Sequence, residues 1–433
     1  MSISSIIEPI KERKMEVQKF LSGFDCVCGK RHDCPIKFVY IEKGAINRLK
    51  EVTTPFNNVL IVADQNTYGV AGQKVSDKLG EKIKEKVIFS GEKVVIPNED
   101  SVERIENATL GIDLIVGIGS GVIQDLCKFV SNSKKIPYII VATAPSMDGY
   151  ASNGAAMITK GMKVTYTVGL PFAIIGDVDI LKDAPMDMIK SGYGDIIGKY
   201  SSLNDWKLSK EVNGEYFCDY VYSVTESVVK EMVALADGIL KRDEESIKVL
   251  TEGLILTGIM ISYVSTSRPA SGSEHHLSHF FEINGIVQDT PYLSHGTDVA
   301  YSTIITAEIR ENLLNSDFSA VYKQDEQEKK RNLERLFGVV AKECEVLQEK
   351  LGTYRRDRNI IYREKEREIK NILKEMPSAK EIQEILGRVG FSLEDFYAFY
   401  GTEKIKDAVK YAKDLKDRYT VLWLNYDLNG GVL

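Results

Sequence analysis

The chain has 433 residues, too many for one ordinary core at roughly 150 residues per domain, so a small single-module binding protein is excluded. Hydrophobic residues make up 43%, charged residues 27%, and 33 Gly stand beside 11 Pro, the composition of a folded chain and not of a disordered or collagen-like one. With 56 Lys and Arg against 63 Asp and Glu the formal net charge is -7, which argues against a polyanion-binding surface and so against a nucleic-acid partner.

In chain order, the N-terminal stretch MSISSIIEPIKERKMEVQKF mixes charge into a helical pattern where a signal peptide would be apolar. No apolar run reaches the ~20 residues of a bilayer span, so the expectation is a cytoplasmic protein with no membrane segment. Six Cys do not build a disulfide framework in a chain of this length. Cys26, Cys28 and Cys34 fall with His32 in CVCGKRHDC, a set that either holds an ion or is a packed or redox-sensitive segment; Cys-x-Cys is tighter than the usual metal knuckle. Cys127, Cys218 and Cys344 read as packed thiols.

Between about residue 36 and 176, short β-branched runs alternate with amphipathic stretches: KFVYIE, NVLIVAD, KVIFS, KVVIP, DLIVGIG, PYIIVAT and FAIIGD. That alternation predicts a parallel α/β sheet, and the continuous apolarity of several runs predicts helices on both faces. Ligands of such sheets gather at the carboxyl ends of the strands. There Asp64 closes NVLIVAD, where it either accepts from a ribose diol while repelling a 2′-phosphate or simply caps the next helix. DLIVGIG runs through Ser120 and Gly121 toward Asp125; glycines 117, 119 and 121 are expected to let the backbone turn sharply, and the helix behind offers N–H groups to a pyrophosphate. PYIIVAT leads into Ser146, Asp148 and Ser152, which crowd hydroxyls and a carboxylate beside that loop.

Helical periodicity dominates after about Asp183, through VTESVVKEMVALADGIL and ESIKVLTEGLILTGIMISYV. The expectation is therefore an α/β nucleotide-binding domain over residues 1–182, then an all-α domain over 183–433 whose charged stretch near 324–375 presents solvated helix faces. Broad apolar helix faces suggest a homodimer. Four of the five His fall at His275, His276, His279 and His295. On one helix His275 and His279 share a face, His276 turns away by roughly 100°, and His295 stands at an element boundary where it can return to the same point. This clustering predicts a metal or acid–base site. Asp195, in SGYGDIIGKYSSLNDW, is the carboxylate chosen to complete it, with Gly192 and Gly194 allowing close approach; Lys199 either pairs with Asp195 or meets an anion.

GSGVIQD, TAPSMDGYASNGA, GYGDIIGKYSSLNDW, SGSEHHLSHFFE and SHGTDVAYS, in that order from about residue 37 to 310, resemble the bacterial sn-glycerol-1-phosphate dehydrogenase group of the iron-containing alcohol dehydrogenase and dehydroquinate synthase superfamily. The resemblance implies a dinucleotide-binding domain, a helical metal domain and an active site in the cleft between them, with NAD(H) or NADP(H) and one divalent ion (Zn, Ni or Fe) acting on dihydroxyacetone phosphate. It implies that Gly121 to Asp125, Thr143 to Ser146 and Ser152 lie at the cofactor and that Asp148 contacts substrate. Asp195, His275 and His295 match the metal ligands, His279 a substrate-side histidine, and Asp64 a residue favouring NAD over NADP. Such an ion polarises a ketone as a Lewis acid, and Lys199 is one candidate for the substrate phosphate. Rival readings are a glycerol or other polyol dehydrogenase, a dehydroquinate- or inosose-synthase-like enzyme, and a nucleotide-sensing scaffold.

Overall fold

A computed structural model describes residues 17–159, 162–319, 322 and 325–433. Residues 1–16, which carry most of the charged N-terminal pattern, lie outside the described residues. The chain forms two compact units: one takes the residues up to Tyr193 with Leu235–Thr266, the other Gly194–Ala234 with Ser267–Leu433. The α/β unit thus also takes in residues 183–193 and 235–266, which a single boundary after 182 would give to the helical half.

The first unit opens with a small antiparallel hairpin, β1 (Phe24–Asp25) and β2 (Arg31–His32). Its main sheet uses β3 (Phe38–Glu42), β4 (Val59–Asp64), β5 (Ile83–Phe89), β6 (Leu114–Gly119), β7 (Tyr138–Ala142) and β10 (Ala173–Asp177), in the order β3-β10-β7-β6-β4-β5 and parallel throughout. The three central strands β6, β7 and β10 are buried at every residue, as runs apolar on both faces must be. Between β4 and β7 lie the helices α1 (Gln73–Leu79), α2 (Glu99–Glu106) and α3 (Gly121–Lys134).

Two strand readings change. KVVIP forms no strand: Val94 is 84% and Ile96 58% exposed, so neither buries the surface that would hold an added strand. A second antiparallel pair, β8 (Gly154–Thr159) with β9 (Met162–Thr167), occupies a stretch where no strand was expected.

After β10 come α4 (Met186–Ile197), α5 (Lys199–Asn213), α6 (Asp219–Leu240), α7 (Glu244–Val264), α8 (Ser273–Gln288) and α9 (His295–Leu314), then shorter helices ending in Val421–Asn429. Among the described residues α7 is the one helix long and apolar enough to cross a bilayer. Its apolarity answers to packing in the α/β unit, where Ile247, Leu250, Leu254, Ile255 and Ile259 are wholly buried.

Candidate active site

In the α/β unit, the strands β4, β6 and β7 are neighbours, so Asp64, Gly119 and Thr143 meet at one edge; the Thr143 N–H donates to the Gly119 carbonyl at 3.1 Å. Ser120 precedes α3 without bonding its first turn through the side chain, which leaves those N–H groups aimed at the strand ends and suited to an anion. The expected role of the glycines is corrected. Gly117 and Gly119 belong to β6, and a Cβ there would lie 2.8 Å from the Cys127 sulfur and 2.7 Å from Ile123 Cβ, so their smallness lets α3 pack down on the strand. Neither lies in the turn itself, which falls at Ser120 between β6 and α3.

Asp64 caps the short helix Gln65–Thr67: its Oδ1 accepts from the Thr67 N–H at 2.9 Å, and the Thr67 hydroxyl lies 3.2 Å from the Asp64 N–H as acceptor. The capping alternative is therefore present. Asp125 accepts from the Ala156 N–H at 3.2 Å, 3.6 Å from the Lys128 ammonium. Lys128 is wholly buried and donates to the carbonyls of Gly149 and Gly154 at 3.0 and 2.7 Å, while Gln124 donates to Gly149 and Tyr150 at 3.1 and 2.9 Å. Burial holds the Lys128 pKa below the ordinary range, with Asp125 opposing that shift. One face of α3 so fastens the segment that carries Asp148 and Ser152, whose hydroxyl donates to Gly149 at 3.3 Å. Ser146 is nearly buried, its carbonyl accepting from Ser191 at 3.2 Å.

In the helical unit, Asp195, His275 and His295 come together from segments 80 and 20 residues apart, each offering a donor atom within 4.8 Å of the other two. His275 Nε2 stands 3.6 Å from Asp195 Oδ1, and the His275 and His295 ring centroids are 5.0 Å apart. Close approach at Gly194 is required: a Cβ there would lie 2.5 Å from the Gly296 carbonyl oxygen, beside His295. Two imidazoles and a carboxylate at these separations suit a divalent transition metal with room for substrate.

His275 Nδ1 meets the buried Glu274 carboxylate at 2.7 Å, which fixes the ring and turns Nε2 toward Asp195. Burial, with the nearby positive charge of Lys199, keeps the His275 pKa well below the usual imidazole value, so the ring is neutral, the form that ligates metal. Lys199 donates to Asp195 Oδ1 at 2.6 Å with both side chains wholly buried. Pairing, not a solvent anion, is what occupies it, because a phosphate clamp needs an accessible donor. His279 neighbours His295 at 5.5 Å between centroids, its Nδ1 3.7 Å from Glu282. His276 turns away and is fully buried, as helical spacing requires.

Glu274 and Glu282 were missed. Glu282 stands one turn after His279 and was readable at i+3. Glu274 was not: adjacent helical residues point apart, and the two meet because Glu274 bends back at the helix start to accept from the Gly272 N–H at 2.8 Å.

A family model described as iron-containing alcohol dehydrogenase matches residues 40–185. A glycerol-1-phosphate dehydrogenase (NAD(P)+) of Halalkalibacterium halodurans is 30% identical over 407 residues, covering 92% of this chain and 94% of that protein. Among solved structures, maleylacetate reductase from Rhizobium sp. strain MTP-10005 superposes with TM-score 0.60 at 13% identity over 92% of this chain and 97% of its own. Sulfoacetaldehyde reductase from Bifidobacterium kashiwanohense in complex with NAD+ does so with TM-score 0.60 at 13% identity over 88% and 92%. These two likenesses are of fold.

Proposed function

The chain belongs to the NAD(P)-dependent glycerol-1-phosphate dehydrogenase family and is an oxidoreductase; from that premise we propose that it reduces dihydroxyacetone phosphate to sn-glycerol 1-phosphate with NADH or NADPH and one divalent cation. The observation that carries the reading is the meeting of Asp195, His275 and His295, with Glu274 behind His275.

When bound, the cation polarises the ketone carbonyl and the reduced nicotinamide supplies the hydride. The protein's residues do the rest. Asp195, His275 and His295 hold the ion. Glu274 keeps Nε2 of His275 as the ligating atom. Lys199, donating to Oδ1, keeps the Asp195 carboxylate aimed. His279, partly exposed beside His295, relays the proton that the product oxygen needs. In the α/β unit, Ser120, Gly121 and the first turn of α3 receive the pyrophosphate, with Thr143, Ser146, Ser152 and Asp125 around it; Asp148 contacts substrate.

The test is NADH oxidation by metal-loaded protein, offered dihydroxyacetone phosphate or unphosphorylated dihydroxyacetone, before and after chelation. Turnover confined to the phosphorylated ketone and abolished by chelator is expected; equal turnover on both would make it a polyol dehydrogenase, and none would remove the proposal.

Asp64 supplies a second test. Ser preserves the helix cap and removes the negative charge. Asp64→Ser is expected to leave thermal stability unchanged and to raise the NADPH-to-NADH ratio of kcat/KM by roughly tenfold, about 1.4 kcal/mol. An unchanged ratio would leave Asp64 as a cap alone.

A further inference from the structure

We propose that the β1–β2 hairpin is a second metal site, a structural zinc site built on Cys26, Cys28 and His32 and separate from the Asp195 cluster. The donor atoms of these three residues lie within 4.8 Å of one another. Cys28 Sγ stands 3.5 Å from His32 Nε2. Zinc bonds of about 2.3 Å to sulfur and about 2.0 Å to nitrogen, at a tetrahedral angle, place those two donors about 3.5 Å apart.

The hairpin is shaped for it. The Cys26 N–H donates to the Lys30 carbonyl and the Gly29 N–H to the Cys26 carbonyl, both at 3.0 Å, which turns the chain back within four residues. Gly29 takes φ +85, a conformation a side chain resists, with nothing within 4 Å of where a Cβ would stand. The turn brings a Cys-x-Cys pair, too short for an ordinary knuckle, opposite the histidine on the returning strand.

His32 is also held as a ligand is held. Its Nδ1 stands 2.9 Å from the Tyr263 carbonyl on α7, so that nitrogen donates its proton there and Nε2 is left as the lone-pair atom facing Cys28. The ring is wholly buried, stacked on Tyr263 at 5.1 Å and 10°, with Phe24 edge-on at 5.3 Å. With Nδ1 donating to Tyr263, the lone pair of Nε2 points at the Cys28 sulfur, the tautomer and orientation of a zinc-ligating imidazole. Cys34, the third cysteine of the motif, is not in the group; it is buried on its own, which pushes its thiol up to about 11. Binding releases the thiol protons and pins residues 24–32 to α7. These three donors leave the fourth tetrahedral position to a further ligand.

Sulfur makes this site separable from the catalytic one, whose proposed donors are oxygen and nitrogen only. Full-length protein purified from zinc-supplemented medium is expected to hold about one metal equivalent beyond that bound through Asp195, lost in Cys28→Ser and His32→Gln but retained in His275→Gln. Replacing zinc by cobalt is expected to give a thiolate-to-cobalt charge-transfer band, present in His275→Gln and absent from Cys28→Ser. Where a serine variant fails to fold, the cobalt spectrum of the parent chain decides. Absence of the band, unchanged metal content in Cys28→Ser, or a Cys26–Cys28 disulfide in protein purified with no extra zinc would each overturn the site.

Discussion

Asp195→Asn and His275→Gln are expected to strip the protein of its catalytic ion and to lower kcat/KM by roughly 10³-fold or more, while NADH still binds. A cation at a developing oxyanion is worth several kcal/mol, and each ~1.4 kcal/mol is tenfold in rate. Removing one of three ligands loses the ion itself. The Asp195 variant carries a complication, because it also removes the charged acceptor of the buried Lys199 ammonium. The decisive comparison is therefore Asp195→Asn with Lys199→Met, which removes both charges. Elemental analysis, NADH fluorescence titration and single-substrate kinetics on the same preparations check the outcome. Variants that keep both metal and normal turnover would dissolve the ligand assignment.

Arg310→Met is expected to lower stability by about 3–5 kcal/mol, a fall in melting temperature of roughly 10 °C, because it leaves a carboxylate buried without its counter-charge. Asp205 accepts from Arg310 Nη2 at 2.8 Å, from the Ser273 N–H at 2.6 Å and from the Val421 N–H at 2.8 Å. Arg310 in turn donates to Asn204 and to the Thr306 carbonyl at 2.8 and 2.9 Å. Asp205 and Arg310 thus tie α5 and α9 to the starts of α8 and of Val421–Asn429, and Ser273 begins the helix that carries His275. Calorimetry measures the shift; pairing the substitution with Asp205→Asn should recover part of it, since no lone charge then remains. A melting point within a degree or so of the parent would mean that water already reaches Asp205.

Much of this was legible along the chain. NVLIVAD, DLIVGIG, PYIIVAT and FAIIGD read as strands because an apolar run buried on both faces needs no partner's identity to be recognised. KVVIP has the same composition and forms no strand, since composition does not say whether a neighbouring strand is there to pair. GAAMIT and MKVTYT form a hairpin despite weaker apolar alternation, because antiparallel pairing is satisfied by backbone bonds. The histidines were readable from helical spacing, and Asp195 from its flanking glycines. Glu274 was invisible because its partnership depends on how one helix begins. Asp205 escaped for a different reason: its three partners come from positions 273, 310 and 421, and no local pattern links them.

Lys128 and Gln124 have a mechanical consequence. They clamp residues 149–154 to the same helix whose first turn faces the strand ends, four bonds reaching carbonyls from two adjacent turns. Helix and segment therefore travel as a single lever. A ligand that displaced the first turn of α3 would displace the segment around Asp148 with it.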